Sequence, residues 1–306
     1  MAYQRISLVV AESPLVTARF TRWCCALVAA AMALTSVNAL RAHDFWLVPD
    51  AFSLVPGGRI GVSGQTSSLF PTSLSAVTPD RIVNAAVFTA SAVHRITAPS
   101  TDGASLRLAH TPAVGGQHMV AVQLAPRTVR ESPASFRRYL DLEGAPEARE
   151  RYERDGLLPV VGGDSLTRRY AKYAKTLVEV GRGARAFDRV AGHPLEFIPL
   201  SDPSALRAGD TLRLRLLLLG KPAAFARLHA GSVPERPSSR VDTSAARRAS
   251  IRDVAVSTDS AGVATVVITT PGLWNVRTLQ IVPAHPRSGA DWDVHWATLV
   301  FRSAPR

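Results

Sequence analysis

With 306 residues, 46% of them hydrophobic and 20% charged, the chain can bury one large core or two ordinary ones, and its composition excludes a disordered, collagen-like or coiled-coil protein. The net charge of +12 comes chiefly from arginines scattered among apolar residues. That pattern reads as a basic solvated surface and gives no basic run of the kind that binds nucleic acid.

Residues 1–42 have the three parts of a secretory signal: a leader with Arg5, Arg19 and Arg22, an apolar stretch from Trp23 to Leu34, then small residues. The apolar stretch, about a dozen residues, is too short to span a bilayer. Cleavage after Ala39 and cleavage after Ala42 both fit. The reading predicts a periplasmic or secreted mature protein with no transmembrane anchor. Cys24 and Cys25 would leave with the signal, so disulfides, thiolate metal sites and cysteine nucleophiles are excluded from the mature chain. Processing at Ala42 removes four arginines and one glutamate and leaves a net charge of +9.

From Phe45 to Leu124, short β-type runs ("FWLV", "GGRIGVSG", "DRIVNAAVFT", "GQHMVAVQL") alternate with Pro, Gly and Ser at intervals suited to an antiparallel sandwich. In "QHMVAVQL", strand periodicity puts His118, Val120, Val122 and Leu124 on one face, the more apolar one. "HDFWLV" reads as an edge strand with Phe45 and Leu47 opposite Trp46 and Val48. The middle is charged and helix-like. Residues 132–156 carry helical spacing, and in 164–181 Leu166, Tyr170, Tyr173, Ala174, Leu177 and Val178 recur at three- and four-residue steps between Asp164 as a cap and Gly181 as a stop. A short helical insertion, about 132–181, is therefore expected. Tyr139, Tyr152, Tyr170 and Tyr173 are read as its core-packing stripe.

A domain boundary is placed at the proline-rich segment that begins at Gly192. Beyond it Leu212, Leu214 and Leu216 alternate with Arg213 and Arg215, "GKP" turns the chain, "SSRVDTSAARRAS" reads as a polar loop, and three more strands precede the closing "DWDVHWATLVF". The fold expected is mainly β: two antiparallel β-sandwich domains, 43–191 and 192–306, with the helical insertion between them.

The stretches "AHDFWLVP", "RRYAKYAKTLVEVG", "GHPLEFIPLSDP", "AGDTLRLRLLLLGKP", "TDSAGVATVVITTPGLWNVR" and "WATLVF" together resemble the family of domain of unknown function 4198. These are secreted bacterial proteins often labelled periplasmic components of nickel or cobalt uptake. The C-terminal part also resembles transthyretin-like, carboxypeptidase-regulatory-like sandwiches, usually binding or structural modules. The resemblance implies a non-catalytic periplasmic accessory protein that binds nickel or cobalt, with a membrane metal transporter as partner.

Eight histidines follow the signal segment. Without cysteine, a transition metal must be held by imidazole, carboxylate and backbone groups. If cleavage falls after Ala42, the α-amine and ring of His43 could chelate one ion, with the Asp44 carboxylate beside them. That nitrogen pair also suits copper, so a copper oxygenase with an amino-terminal histidine is kept as an enzymatic alternative. His118 and His193 lie in segments that carry the resemblance, and His295 is flanked by Asp291 and Asp293. The expected metal ligands are therefore His43, Asp44, His118, His193 and His295. No nucleophile elbow, phosphate loop or H-E-x-x-H spacing is present. A metal-free structural or interaction module of the envelope is the alternative of a different class.

Overall fold

The computed structural model describes residues 43–143, 145–233 and 254–306. The signal segment and the polar loop expected at 238–250 lie outside the described residues. The chain begins with nine strands: β1 (Asp44–Pro49), β2 (Ser53–Leu54), β3 (Ile60–Ser67), β4 (Ile82–Phe88), β5 (Val93–Arg95), β6 (Ser100–Asp102), β7 (Ser105–His110), β8 (Gly116–Leu124) and β9 (Arg127–Glu131). Helices α1 (Pro133–Leu142) and α2 (Pro146–Arg154) follow, then β10 (Leu166–Val180). The remainder is β11 (Leu195–Pro199), β12 (Thr211–Leu218), β13 (Lys221–Pro222), β14 (Arg227–Val233), β15 (Val254–Ser257), β16 (Val263–Val267), β17 (Gly272–Pro283) and β18 (Trp292–Ser303).

One ten-stranded sheet runs through the molecule in the order β15-β14-β17-β18-β10-β8-β4-β5, with β2 and β9 also paired to β10. A smaller sheet, β1-β3-β7-β6, supplies one core, and a third, β11-β12-β13 with β16 on β12, supplies the other. Strand periodicity assigns the faces. Ala174 and Val178 of β10 join Leu47, Val62, Leu108 and Val120 in the first core, while Ala171 and Tyr173 join Phe197, Leu214, Trp274 and Leu299 in the second. The two sandwiches thus lie against opposite faces of a shared sheet that takes strands from both sides of residue 192. The sheet is mostly antiparallel, but β10 and β18 run parallel, with Arg168 opposite Trp292 and Thr176 opposite Val300.

The helical expectation holds for the first segment only. Ser132 caps α1 by accepting the amide of Ser135 at 3.2 Å, Pro133 opens it, and Phe136, Tyr139 and Leu140 are buried. Residues 164–181, expected to be helical, form strand β10 instead. Both faces of β10 are buried, so apolar residues from the two faces interleave along the chain and imitate a helical period. The four tyrosines accordingly form no single stripe: Tyr139 and Tyr152 sit on helices, and Tyr170 and Tyr173 point to opposite faces of β10. The alternation in β12 is as expected, with Leu212, Leu214 and Leu216 inside and Arg213 and Arg215 outside.

The most deeply buried charges among the described residues form a tight pair. The Lys175 ammonium lies 2.6 Å from the Glu196 carboxylate, with both side chains almost wholly buried. Lys175 also donates to the carbonyls of Arg189 and Phe197, and Glu196 accepts the amides of Ala191, Gly192 and His193. All the strong donors and acceptors of the pair are therefore used, which is the condition for a buried ion pair to be tolerated. Removing one partner leaves the other charged and unpaired. Glu196→Gln is expected to cost about 3–5 kcal/mol of unfolding free energy in a urea titration, and the double variant Lys175→Met with Glu196→Leu distinctly less.

Candidate functional site

At the start of β8 the chain turns through Gly115 and Gly116. Gly116 has φ +111°, and a Cβ there would come within 2.6 Å of the Ala184 carbonyl oxygen. Only glycine accepts both the conformation and the approach. The turn presents the Gly116 carbonyl to Nδ1 of His118 at 3.0 Å. Next along the strand, Gln117 points to the other face, where its carbonyl oxygen accepts the amides of Ala186 and Phe187 and its amide donates to Asp202 and Ser204. The backbone that carries His118 is thereby fixed from both sides.

His118 is buried on the core face, as its alternation with Val120 and Val122 indicates. Its contact with a carbonyl oxygen makes Nδ1 the protonated nitrogen and leaves Nε2 with a lone pair, and Nε2 is buried with no hydrogen-bond partner. Two more imidazoles lie beyond it. The His110 ring is centred 6.4 Å from that of His118, and the His94 ring 5.3 Å from that of His110. His110, at the end of β7, is partly exposed, and His94, on β5, is exposed. Burial first, and the neighbouring imidazoles second, hold His110 below the ordinary histidine pKa. Burial also lowers His118, partly offset by its Gly116 contact. Neutral imidazole is the form that binds metal.

His193 and His295 sit on the opposite face of the shared sheet, each in ring contact with Tyr173. The ring centres of Tyr173 lie 5.4 Å from His193 and 5.9 Å from His295, and the Tyr173 hydroxyl lies 3.0 Å from Nδ1 of His295. Both ring nitrogens of His193 are buried without partners. Desolvation drives its pKa down to about 4, with Glu196 opposing and Lys175 assisting. The Asp293 carboxylate, read as a neighbour of His295, pairs with Arg169 at 2.7 Å.

His43 and Asp44 occupy a third place. The His43 carbonyl accepts a hydrogen bond from Lys172, and the Asp44 carboxylate lies 3.4 Å from the Arg277 guanidinium. Burial presses Lys172 down to about 8 while Asp44 opposes that shift. Two cations thus stand at the beginning of β1.

The five expected ligands are therefore spread over three places. His118 is separated from His193 and His295 by the sheet. On β10, Lys172, which contacts His43, and Val178, which pairs with His118, are six residues apart, about 20 Å of strand. Among the described residues no three His, Asp or Glu side chains converge as ligands around one point. Sequence reading missed His94 and His110. His110 was within reach, because "SLRLAH" alternates Leu106, Leu108 and His110 onto one face. The three-residue strand that carries His94 is too short to show a period.

The chain belongs to the family described as Domain of unknown function (DUF4198), whose model matches residues 40–281. No curated protein matches it. Among solved structures it is similar to the D0-D1 domain of Intimin, at 13% identity over 84% of this chain and 97% of that one, with a TM-score of 0.20. It is also similar to the Yersinia pseudotuberculosis adhesin InvE, at 13% identity over 85% and 58%, TM-score 0.21, and to trypsin-activated Escherichia coli alpha-2-macroglobulin, at 12% over 86% and 16%, TM-score 0.22. Likeness at this level carries no functional argument.

The buried His193 makes stability depend on pH. In the unfolded chain it takes up a proton near pH 6.5, and in the folded protein only near 4. Between those values the unfolded chain holds more protons, so acidification favours unfolding. Stability should fall by up to about 3 kcal/mol over that window, and His193→Leu should flatten the decline in urea titrations run at successive pH values.

Proposed function

We propose that this protein is a non-catalytic binding protein of the cell envelope that captures a divalent transition ion, nickel or cobalt in the first place, and passes it to a membrane transporter. One observation carries the reading: His118 is oriented by a backbone carbonyl on one ring nitrogen, and the other is buried, neutral and unpartnered. A backbone carbonyl on the far nitrogen is the usual support of a metal-binding histidine. An unpartnered buried acceptor costs about 1–3 kcal/mol, a cost that a bound ion would offset.

The envelope location rests on the three-part pattern of residues 1–42. Among the described residues no helix is long and apolar enough to cross a membrane. Lys172 and Arg277 oppose a further cation beside His43 and Asp44, so the amino-terminal chelate and the copper oxygenase built on it stand behind the imidazole reading. The chemistry required is passive. The lone pairs of neutral imidazoles replace water on the ion, and release follows when a stronger ligand set competes.

Titration calorimetry of the processed chain, without a histidine tag, with nickel(II) and cobalt(II) tests the reading. Binding of about one ion at micromolar or lower concentration is expected, with His43→Ala binding as the parent does. No binding of either ion would sink the proposal and leave the metal-free interaction module.

A further inference from the structure

We infer that His94, His110 and His118 form one three-imidazole metal site at the open end of the first sandwich. It would suit a borderline divalent ion such as nickel, cobalt, copper or zinc. The inference rests on the metal-capture reading and supplies the residues that perform it.

Register turns the three side chains toward one interior, from two facing sheets. His94 is paired with Val87 and Val87 with Val120, and both valines belong to the first core. His118 is two residues before Val120 on β8. His110 is two residues after Leu108 on β7, across the sandwich, and Leu108 is a member of the same core. The interior therefore passes from valine and leucine to three histidines where the two sheets open to solvent. Exposure rises in the same direction, from buried His118 through half-buried His110 to exposed His94.

The two separations along the row, His94 to His110 and His110 to His118, each fit a shared ion. A metal–nitrogen bond of about 2.0–2.1 Å, with the radius of the ring added, sets two imidazole centres bound to one ion about 5–6.5 Å apart. The observed separations are 5.3 Å and 6.4 Å. The rings do not yet aim their nitrogens at a common point. Bringing them there requires rotation about side-chain bonds of His94 and His110, the two that have solvent to move in, and none of His118. Nitrogen donors without thiolate or a dense carboxylate set select borderline ions over calcium or magnesium. Three protein ligands leave a tetrahedral or larger coordination sphere with a place open to solvent. An open place is what a carrier needs, because an acceptor can attach before the carrier lets go. His118 is then the fixed ligand, and His94 and His110 are the ones that swing in and out.

The experiment is calorimetry with nickel(II) and copper(II) on the full processed chain without a tag, comparing the parent with His94→Ala, His110→Ala, their double variant and His118→Asn. Cobalt(II) absorption is the second readout. His94 and His110 reach the surface, so the double variant is expected to melt with the parent and keeps the test valid even if His118→Asn unfolds. Each single surface variant should weaken binding about tenfold or more and change the cobalt spectrum, and X-ray absorption should report a nitrogen shell with imidazole scattering. If the parent binds metal and the double variant binds it equally well with an unchanged spectrum, the site is overturned and the metal-capture reading survives. Loss of binding in His43→Ala with the double variant unaffected would move the site to the amino terminus and overturn the inference. If the parent binds no metal, both fall together.

Discussion

The buried pairing of Lys175 with Glu196 joins the two halves of this protein. Lys175 projects from β10, the strand at the centre of the shared sheet, and Glu196 from β11, the strand that opens the third sheet. Between them runs the connection 181–194, and three of its amides turn inward to the same carboxylate. A hydrophobic contact could hold the sheets together in many registers. An ion pair in an apolar interior tolerates only the arrangement in which every donor and acceptor meets its partner. The position of β11 against β10 therefore fixes where the second core begins, and with it the Tyr173 cluster on that face.

On the other face the same strand positions His118. Val178 pairs with His118 in the β10–β8 ladder, and the connection after β10 returns to pack the backbone of Ala184 against Gly116. The histidine and the carbonyl that orients it are thus set by a glycine turn clamped between two strands and a loop. This is a rigid support for one imidazole, and the neighbouring histidines lie on a strand end and a short edge strand, where movement costs little.

The sequence made the β character, the edge strand at His43, the face of His118 and the alternation of β12 legible, because each depends on a local two-residue period. It misled at β10. A strand buried on both faces has no polar face to show its period, and its two apolar sets, offset by an odd number of residues, produce three- and four-residue steps. The candidate site was half legible for a related reason. His118 could be placed by its own strand. Its relation to His94 and His110 is a matter of which strands pair, and neither spacing nor composition encodes that. His193 was singled out for lying in a segment that carries the family resemblance and His295 for its flanking aspartates, and the fold buries both beside Tyr173. Tyr173 contacts both, its ring beside His193 and its hydroxyl 3.0 Å from Nδ1 of His295.

The parallel pairing of β10 with β18 bears on how the protein acquires its structure. β18 lies between β10 and β17 in the middle of the long sheet, yet of the described strands it is the last to be made. Until Trp292–Ser303 emerges, one edge of β10 has only β2 to pair with, and Phe45 lacks the Thr298 hydroxyl that bonds its carbonyl. The first sandwich therefore cannot be finished ahead of the second, even though its own strands are made early. The chain must be kept from pairing its open edges with other chains until its full length is available.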